Sequence, residues 1–541
     1  MTDRNDLAAP CRLPHLAPAG RTPLFAALRR LLALTRAANR PGAPPVDELV
    51  ELAGAGRPSR RDVLRAGVGA VGLAAAGAPV RPAWGQVGSR RGRQAARIAV
   101  IGAGLAGLRA TQLLAAAGLE PTLYTAESRA GGRIVSAGGL LGPGLVTELG
   151  GEFIDSGHED LLQIVRELEL GLIDVPAEEA GLATAYHFGS RAYSEAALTA
   201  AFRHVAARIA ADQRRIGGDV DFRHANAFAR SVDRMSLAEY LTRAGARGPI
   251  YALFDVAYAG EYGLDIDRQS SLNLLLVGPA TDPMHAIFGD SDERYKVRGG
   301  NEQIVRGLAA QVGGRIVPDS PLVAVRRRGG AYALQFAGRS KAIVADVVLL
   351  CLPFTMLRQV DLQVELPPVK RQAIATLGYG TNAKLLLGFR HRAWHDRGDN
   401  GSAFTDAGFQ NCWDNGTGSP GPAGGLTLFL GGRPGLGVGT GSPDDQVARF
   451  LPALEAVFPG SVAARNGLVG RAFWPDRPWA HGSYACYLPG QWTSIAGSES
   501  SPVGNLFFAG EHCSRDFQGY MNGAAQTGRQ AASLIMHRLR T

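Results

Sequence analysis

Arg97-Ile98-Ala99-Val100-Ile101-Gly102-Ala103-Gly104-Leu105-Ala106-Gly107 is the stretch on which the fold turns. Four apolar residues, three of them β-branched, run into a Gly-x-Gly-x-x-Gly turn. The turn opens a segment over 108–117 with helical spacing, and 122–125 supplies a second strand-like run. Strand, glycine turn, helix and strand in this order begin a dinucleotide-binding α/β unit. Gly102, Gly104 and Gly107 permit a tight turn and close backbone approach, and all three are expected at the cofactor. A pyrophosphate can then rest on the amides of Ala103, Leu105 and Ala106 at the helix start.

Folds of this kind usually end the second strand in a carboxylate that accepts hydrogen bonds from the adenosine ribose. That position is Thr125 here, with Glu127 two residues later, so the ribose contact is open between a hydroxyl and a carboxylate. Further on come Gly131-Gly132-Arg133 and Glu148-Leu149-Gly150-Gly151-Glu152-Phe153-Ile154-Asp155. These segments resemble the flavin amine oxidase family, which includes monoamine, polyamine and L-amino acid oxidases. The resemblance implies FAD rather than NAD, with Arg133 near the pyrophosphate and the backbone of Gly132, Gly150, Gly151 and Glu152 close to the cofactor. It continues in order through Tyr295-Lys296-Val297-Arg298-Gly299-Gly300-Asn301, Val323 beside the adenine, and the buried strand and turn of Leu349-Leu350-Cys351-Leu352-Pro353. Phe507-Phe508-Ala509-Gly510-Glu511-His512 and Gly519-Tyr520-Met521-Asn522-Gly523-Ala524 are its most distinctive blocks. They imply cofactor contacts from Gly510, Glu511, Tyr520 and Met521. Trp474 is expected close to the flavin face and Trp479 in the pocket wall.

Oxidising an amine on a flavin requires a neutral nitrogen, a Cα–H bond aimed at flavin N5 and a dry pocket. The resemblance implies that Tyr484 and Tyr520 are the aromatic pair that frames the substrate nitrogen. Ser483 stands where mitochondrial monoamine oxidases carry the cysteine bonded to FAD. A serine cannot form that thioether, so noncovalent FAD is expected. Gly380-Thr381-Asn382-Ala383-Lys384 leads into Leu385-Leu386-Leu387, which directs the Lys384 ammonium inward, where it is costly without a partner. The resemblance gives Lys384 the role of holding a water at flavin N5 and assisting reoxidation by oxygen. Lys384, Tyr484 and Tyr520 thus form the expected catalytic set.

For the substrate, Asp155 occupies a position where polyamine oxidases often keep an acid for a second ammonium group, and Glu152 is the neighbouring clue. L-amino acid oxidases tend to place an arginine at the position of Phe153, and none stands there. The expected activity is oxidation of a primary or secondary amine, with diamines and polyamines included, by hydride transfer to flavin N5 and reoxidation by O2 to hydrogen peroxide. An L-amino acid oxidase, a dehydrogenase serving an electron-carrier protein and a flavin-binding module without turnover are the alternatives.

At 541 residues, 46% hydrophobic and 19% charged, the chain can bury a large core in two or more lobes. Its formal charge of +9 resides in residues 1–94, where 15 arginines face 6 acids, so the remainder is near neutral and implies no nucleic-acid partner. Fifty-three arginines stand against four lysines, a base-composition bias that makes a lysine in a strand worth inspecting. Five scattered cysteines suggest neither a metal site nor a disulfide framework.

Ser59-Arg60-Arg61-Asp62-Val63-Leu64-Arg65, the uncharged run 66–80 and Ala83-Trp84-Gly85 resemble a twin-arginine export signal with a cleavage site. The run is too short to span a bilayer, which needs about 20 residues. A periplasmic or secreted protein is expected, with the twin-arginine machinery as a partner and 1–94 outside the fold. Residues 24–36 nonetheless have the spacing of a short amphipathic helix. The expected architecture is α/β: a discontinuous Rossmann-like, glutathione-reductase-like FAD domain from 95–155, 290–360 and 470–541, interleaved with an α+β substrate domain from 156–289 and 361–469. The pocket is expected where the two meet, and a homodimer is a candidate assembly.

Overall fold

The computed structural model describes residues 23–40, 43–55, 96–276 and 292–540, so the paired arginines, the apolar run after them and Ala83-Trp84-Gly85 lie outside the described residues. Ile98–Ile101 is the central strand of a five-stranded parallel sheet, with Pro121–Tyr124 on one side and Val347–Leu350 on the other. Ile316–Val317 and Leu506–Phe508 form its edges. All residues of Ile98–Ile101 and Val347–Leu350 are buried, as strands covered on both faces must be. Ile98, Val100, Val347 and Leu349 pack on one face against the helices Leu105–Ala116 and Met521–Arg540. Ala99, Ile101, Val348 and Leu350 pack on the other, where a four-stranded sheet over 322–363 contributes Val325, Leu334 and Phe336.

A second, seven-stranded sheet carries Ala383–Phe389 and Gly424–Leu430 side by side, second and third from one edge. Ala383, Leu385, Leu387 and Phe389 share one apolar face packed on the core that includes Trp394 and Phe450. Strand alternation therefore turns Lys384 to the opposite face, between Phe429 and Ala472 on the neighbouring strands. A slip of one residue would exchange Lys384 for Leu385, so burial of the apolar face fixes where the ammonium points.

The helices Glu195–Ile216 and Gly248–Tyr262 build a third core with Tyr186, Phe404 and Trp413. The helix Pro23–Ala38 is seated on it. Leu31 and Leu34 are buried, Thr35 Oγ1 donates to the Thr199 carbonyl at 3.2 Å, and Arg30 pairs with Glu195 at 2.6 Å. The expectation that everything before residue 95 lies outside the fold is corrected by this helix. Its apolar stripe was legible in the sequence, but its partner stands more than 160 residues away. Among the described residues, no helix is long and apolar enough to cross a membrane.

Candidate active site

At the dinucleotide turn, each glycine answers a different demand. Gly102 has φ +103°, and a Cβ on it would lie 2.8 Å from the Cys351 carbonyl oxygen. Gly107 sits beneath the turn: a Cβ there would lie 2.0 Å from the Gly102 carbonyl oxygen. Gly107 thus seats the helix and, contrary to expectation, does not line the cavity, since the space it faces is filled by the turn itself. Gly104 caps Leu105–Ala116 without a side-chain bond and has no atom within 4 Å of its Cβ direction. First-turn amides over such an open concavity are suited to a phosphate.

This concavity belongs to a cavity of about 580 Å³ whose wall also carries Tyr484 and Tyr520. Thr125 and Glu127 both line it, as does Val323, which is 40% exposed. Arg133 donates to the Ser483 carbonyl at 2.6 Å and to Glu511 Oε1 at 2.9 Å, and Glu511 Oε2 accepts the Gly519 N–H at 2.8 Å. One ion pair thereby ties the Gly-Gly-Arg loop to the C-terminal block. A Cβ on Gly150 would lie 1.9 Å from the Arg133 carbonyl oxygen, and one on Gly151 2.9 Å from Met521 Sδ. At Gly150 only glycine lets the two backbone stretches meet, whereas at Gly151 the Met521 side chain would have to shift. Trp474 donates to the Leu149 carbonyl at 3.0 Å, and Trp479 is a more exposed part of the wall. A phosphate-sized cradle, a basic loop and a long apolar wall in one cavity fit a flavin dinucleotide.

Tyr484 donates to the Gly260 carbonyl at 2.9 Å and Tyr520 to Glu261 Oε1 at 3.4 Å, so both phenols are fixed by the end of Gly248–Tyr262. Phe153, Trp413 and Phe429 add an apolar wall, with the first two rings edge-on at 5.7 Å. Ser483 lines the cavity and donates to Asn382 Oδ1 at 2.5 Å, whereas Cys486 is buried against Asn273 and off the wall.

Lys384 satisfies its three N–H groups with the carbonyls of Glu148 at 3.0 Å and Gly150 at 2.9 Å and with Glu152 Oε2 at 2.8 Å. The other carboxylate oxygen of Glu152 accepts from Lys296 at 3.0 Å, and Lys296 also donates to the Asn415 carbonyl at 3.0 Å. Burial pushes the Glu152 carboxyl up, but the charges of Lys384 and Lys296 and their hydrogen bonds reverse this and hold it below its ordinary value. Burial disfavours the Lys296 ammonium, and Glu152 more than restores it. Glu148 lies nearby, pushed up to about 7 by burial despite bonds from Asn301 and Ser136.

Asp155, expected at the substrate, is not on the cavity wall. Three residues after Glu152 the chain has turned away, and Asp155 Oδ1 accepts the Glu293 N–H at 2.9 Å. His158 Nδ1 accepts the Asp155 N–H, which places the ring proton on Nε2, 3.4 Å from Asp155 Oδ2. Burial drives the His158 pKa down to about 3, so the ring is neutral. It stands edge-on to Tyr520 at 5.3 Å. Glu293 is buried with no hydrogen-bond partner for either carboxylate oxygen among the described residues. Burial, then the charges of Asp155 and Glu261, raise it well above the carboxyl range. Sequence reading missed Glu261, Glu293, Trp413, Phe429 and the role of Lys296. For Lys296 alone a signal existed, the rarity of lysine.

Residues 105–536 match the profile of the flavin containing amine oxidoreductases. An L-amino acid dehydrogenase of Synechocystis is 24% identical over 81% of this chain and 94% of its own length, and a flavin-containing amine oxidase of Danio rerio is 23% identical over 81% and 85%. Among solved structures, putrescine oxidase bound to putrescine superposes with TM-score 0.71 at 20% identity, covering 82% of this chain and all of that one. Cyclohexylamine oxidase from Brevibacterium oxydans gives 0.72 at 19%, over 83% of this chain and 100% of its own. With four-fifths of its length inside that profile and a cavity shaped for the dinucleotide, the chain belongs to the flavin-containing amine oxidoreductases, enzymes that use FAD to oxidise amines.

Proposed function

We propose that this enzyme oxidises a primary or secondary amine at the carbon beside nitrogen, and that diamines or polyamines are its preferred class. FAD, when bound, supplies the hydride acceptor at N5 and passes the electrons to oxygen, giving hydrogen peroxide. Tyr484 and Tyr520 orient the amine nitrogen, and Phe153, Trp413 and Phe429 keep water out. Lys384, whose three N–H groups are taken by Glu148, Gly150 and Glu152, assists reoxidation as a fixed positive charge rather than by holding the water that was expected of it. The observation that carries the preference is the buried acidic group of Asp155, Glu261 and Glu293 directly behind Tyr520. The group lies off the cavity wall, so it acts on a second, distal ammonium at the Tyr520 end of the cavity through its charge and not by contact, and that ammonium favours loss of the proton from Glu293. Phe153, an apolar ring, supports the same choice against a substrate carboxylate.

Oxidation or dehydrogenation of an L-amino acid is the second reading, favoured by the likeness to the Synechocystis L-amino acid dehydrogenase. Peroxide release and dye reduction, measured over monoamines, diamines, polyamines and L-amino acids with FAD-loaded protein, separate the readings. Turnover confined to L-amino acids overturns the first, and dye reduction without peroxide replaces oxygen with a carrier protein.

The serine at 483 supports noncovalent FAD. Acid precipitation is expected to leave the yellow colour in the supernatant, and a yellow pellet contradicts it. Export by the twin-arginine route rests on Arg60-Arg61. An Arg60→Lys, Arg61→Lys chain retained in the cytoplasm, with the unaltered chain exported, is the expected result, and equal export of both removes the proposal.

A further inference from the structure

Only four of the 57 basic residues are lysine, and three of those four, Lys296, Lys370 and Lys384, are buried. Two of the three share one carboxylate, Glu152, through separate oxygens. A chain that otherwise uses arginine thus keeps lysine where a single tetrahedral nitrogen, rather than a planar fork, fits a tight set of acceptors. Lys384 alone would neutralise Glu152. With Lys296 added, two ammonium groups face one carboxylate, and the trio carries one unit of positive charge at the cavity wall. Asp414 is already committed to Arg392 at 2.9 Å, and Glu148, held by Asn301 and Ser136, offsets that charge only in part.

The second ammonium also fixes geometry. Glu152 Oε1 is held by Lys296, whose other bond goes to the Asn415 carbonyl at 3.0 Å, so the carboxylate cannot rotate away from Lys384. Lys296 itself is absent from the cavity wall. It therefore acts through Glu152 and Lys384.

We propose that Lys296 is a positioning residue that locks Glu152 against Lys384 and supplies the uncompensated positive charge by which the cavity favours an anion at the flavin. This rests on the reading of Lys384 as the residue that assists reoxidation. An excess buried charge is retained only where something of opposite sign joins it, and the anion here is the flavin once it has accepted a hydride.

The test uses the full-length FAD-loaded enzyme and sulfite, an anion whose addition to flavin is followed by absorbance and reports positive charge at the ring. Lys296→Met is expected to weaken sulfite affinity about tenfold and to lower the flavin midpoint potential. It should slow reoxidation in the same sense as Lys384→Met, with the amine KM little changed. Lys296→Gln, which removes the charge but keeps a donor for Glu152, repeats the measurement should the methionine variant fail to load FAD. Wild-type sulfite affinity and potential in the Lys296 variants, beside losses of both in Lys384→Met, overturn the proposal. So does failure of both Lys296 variants to take up FAD, which marks the residue as structural. Should Lys384→Met leave both readouts unchanged, the reading of Lys384 fails first and this proposal falls with it.

Discussion

Glu152 and Asp155 stand three residues apart in the chain and in opposite electrostatic surroundings. Glu152 is one carboxylate held by two ammonium groups, and its pKa lies below the ordinary range. Asp155 belongs to a group of three buried carboxyls beside a neutral imidazole, where Glu293 is raised well above that range. Burial is equally complete in both places, so solvent does not make the difference. Where a cation is built in, the carboxylate stays charged. Where none is present among the described residues, a proton takes its place. Phe153 and Ile154 separate a site that wants an anion from a site that wants a cation, with the paired tyrosines at their junction.

The comparison breaks most visibly at Glu152. Glu152→Gln leaves two buried ammonium groups without their counter-charge and is expected to lower stability by about 3–5 kcal/mol, read as a fall in the urea midpoint; an unmoved midpoint would show that the lysines find water. Next comes Glu148, which shares the lysine side but behaves like the acidic side. Its pKa is raised from 4.5 to about 7, so the unfolded chain ionises first. Its contribution is present in acid and is lost as pH rises through that window, by on the order of 3 kcal/mol. Glu148→Gln should flatten the stability profile between those two values. A profile unchanged from the parent chain assigns the slope elsewhere.

Glu293→Gln probes the opposite cluster. Removing a carboxyl that has no hydrogen-bond partner among the described residues should leave stability within about 1 kcal/mol of the parent chain while raising the KM of a diamine about tenfold and that of a monoamine little. Equal effects on both amines would remove the distal ammonium from the reading. The smallest effect serves as a control remote from both clusters. Gly104→Ala places a methyl group in the phosphate cradle without backbone strain, since φ is −75°. It should weaken FAD by about threefold to tenfold, about 1 kcal/mol, with the Glu148 slope intact.

Local patterns made half of this site legible. The turn at Gly102–Gly107 is read from adjacent residues because its strand, helix and phosphate cradle are all made within one short unit. The inward direction of Lys384 follows from strand alternation, which is likewise local. Pairings between distant segments are not local. Lys296 meets Glu152 across 144 residues, and Tyr520 meets Glu261 across 259. Nothing in the spacing of either segment encodes the other. The resemblance put Asp155 at the substrate, but which way it faces depends on its bond to Glu293, far along the chain, and that turns it off the cavity wall. Tyr484 and Tyr520 were found because they lie inside motifs, and Trp413 and Phe429 were missed because they lie on strands with no motif.

The helix Pro23–Ala38 bears on the order in which this protein is made. It emerges early from the ribosome, but its seat, Glu195–Ile216, is translated more than 160 residues later. At about 5–20 residues per second the interval is on the order of ten seconds. During that time Leu31 and Leu34 have no surface to cover. This helix thus waits for a seat that is made later, and its docking reports that Glu195–Ile216 has already formed.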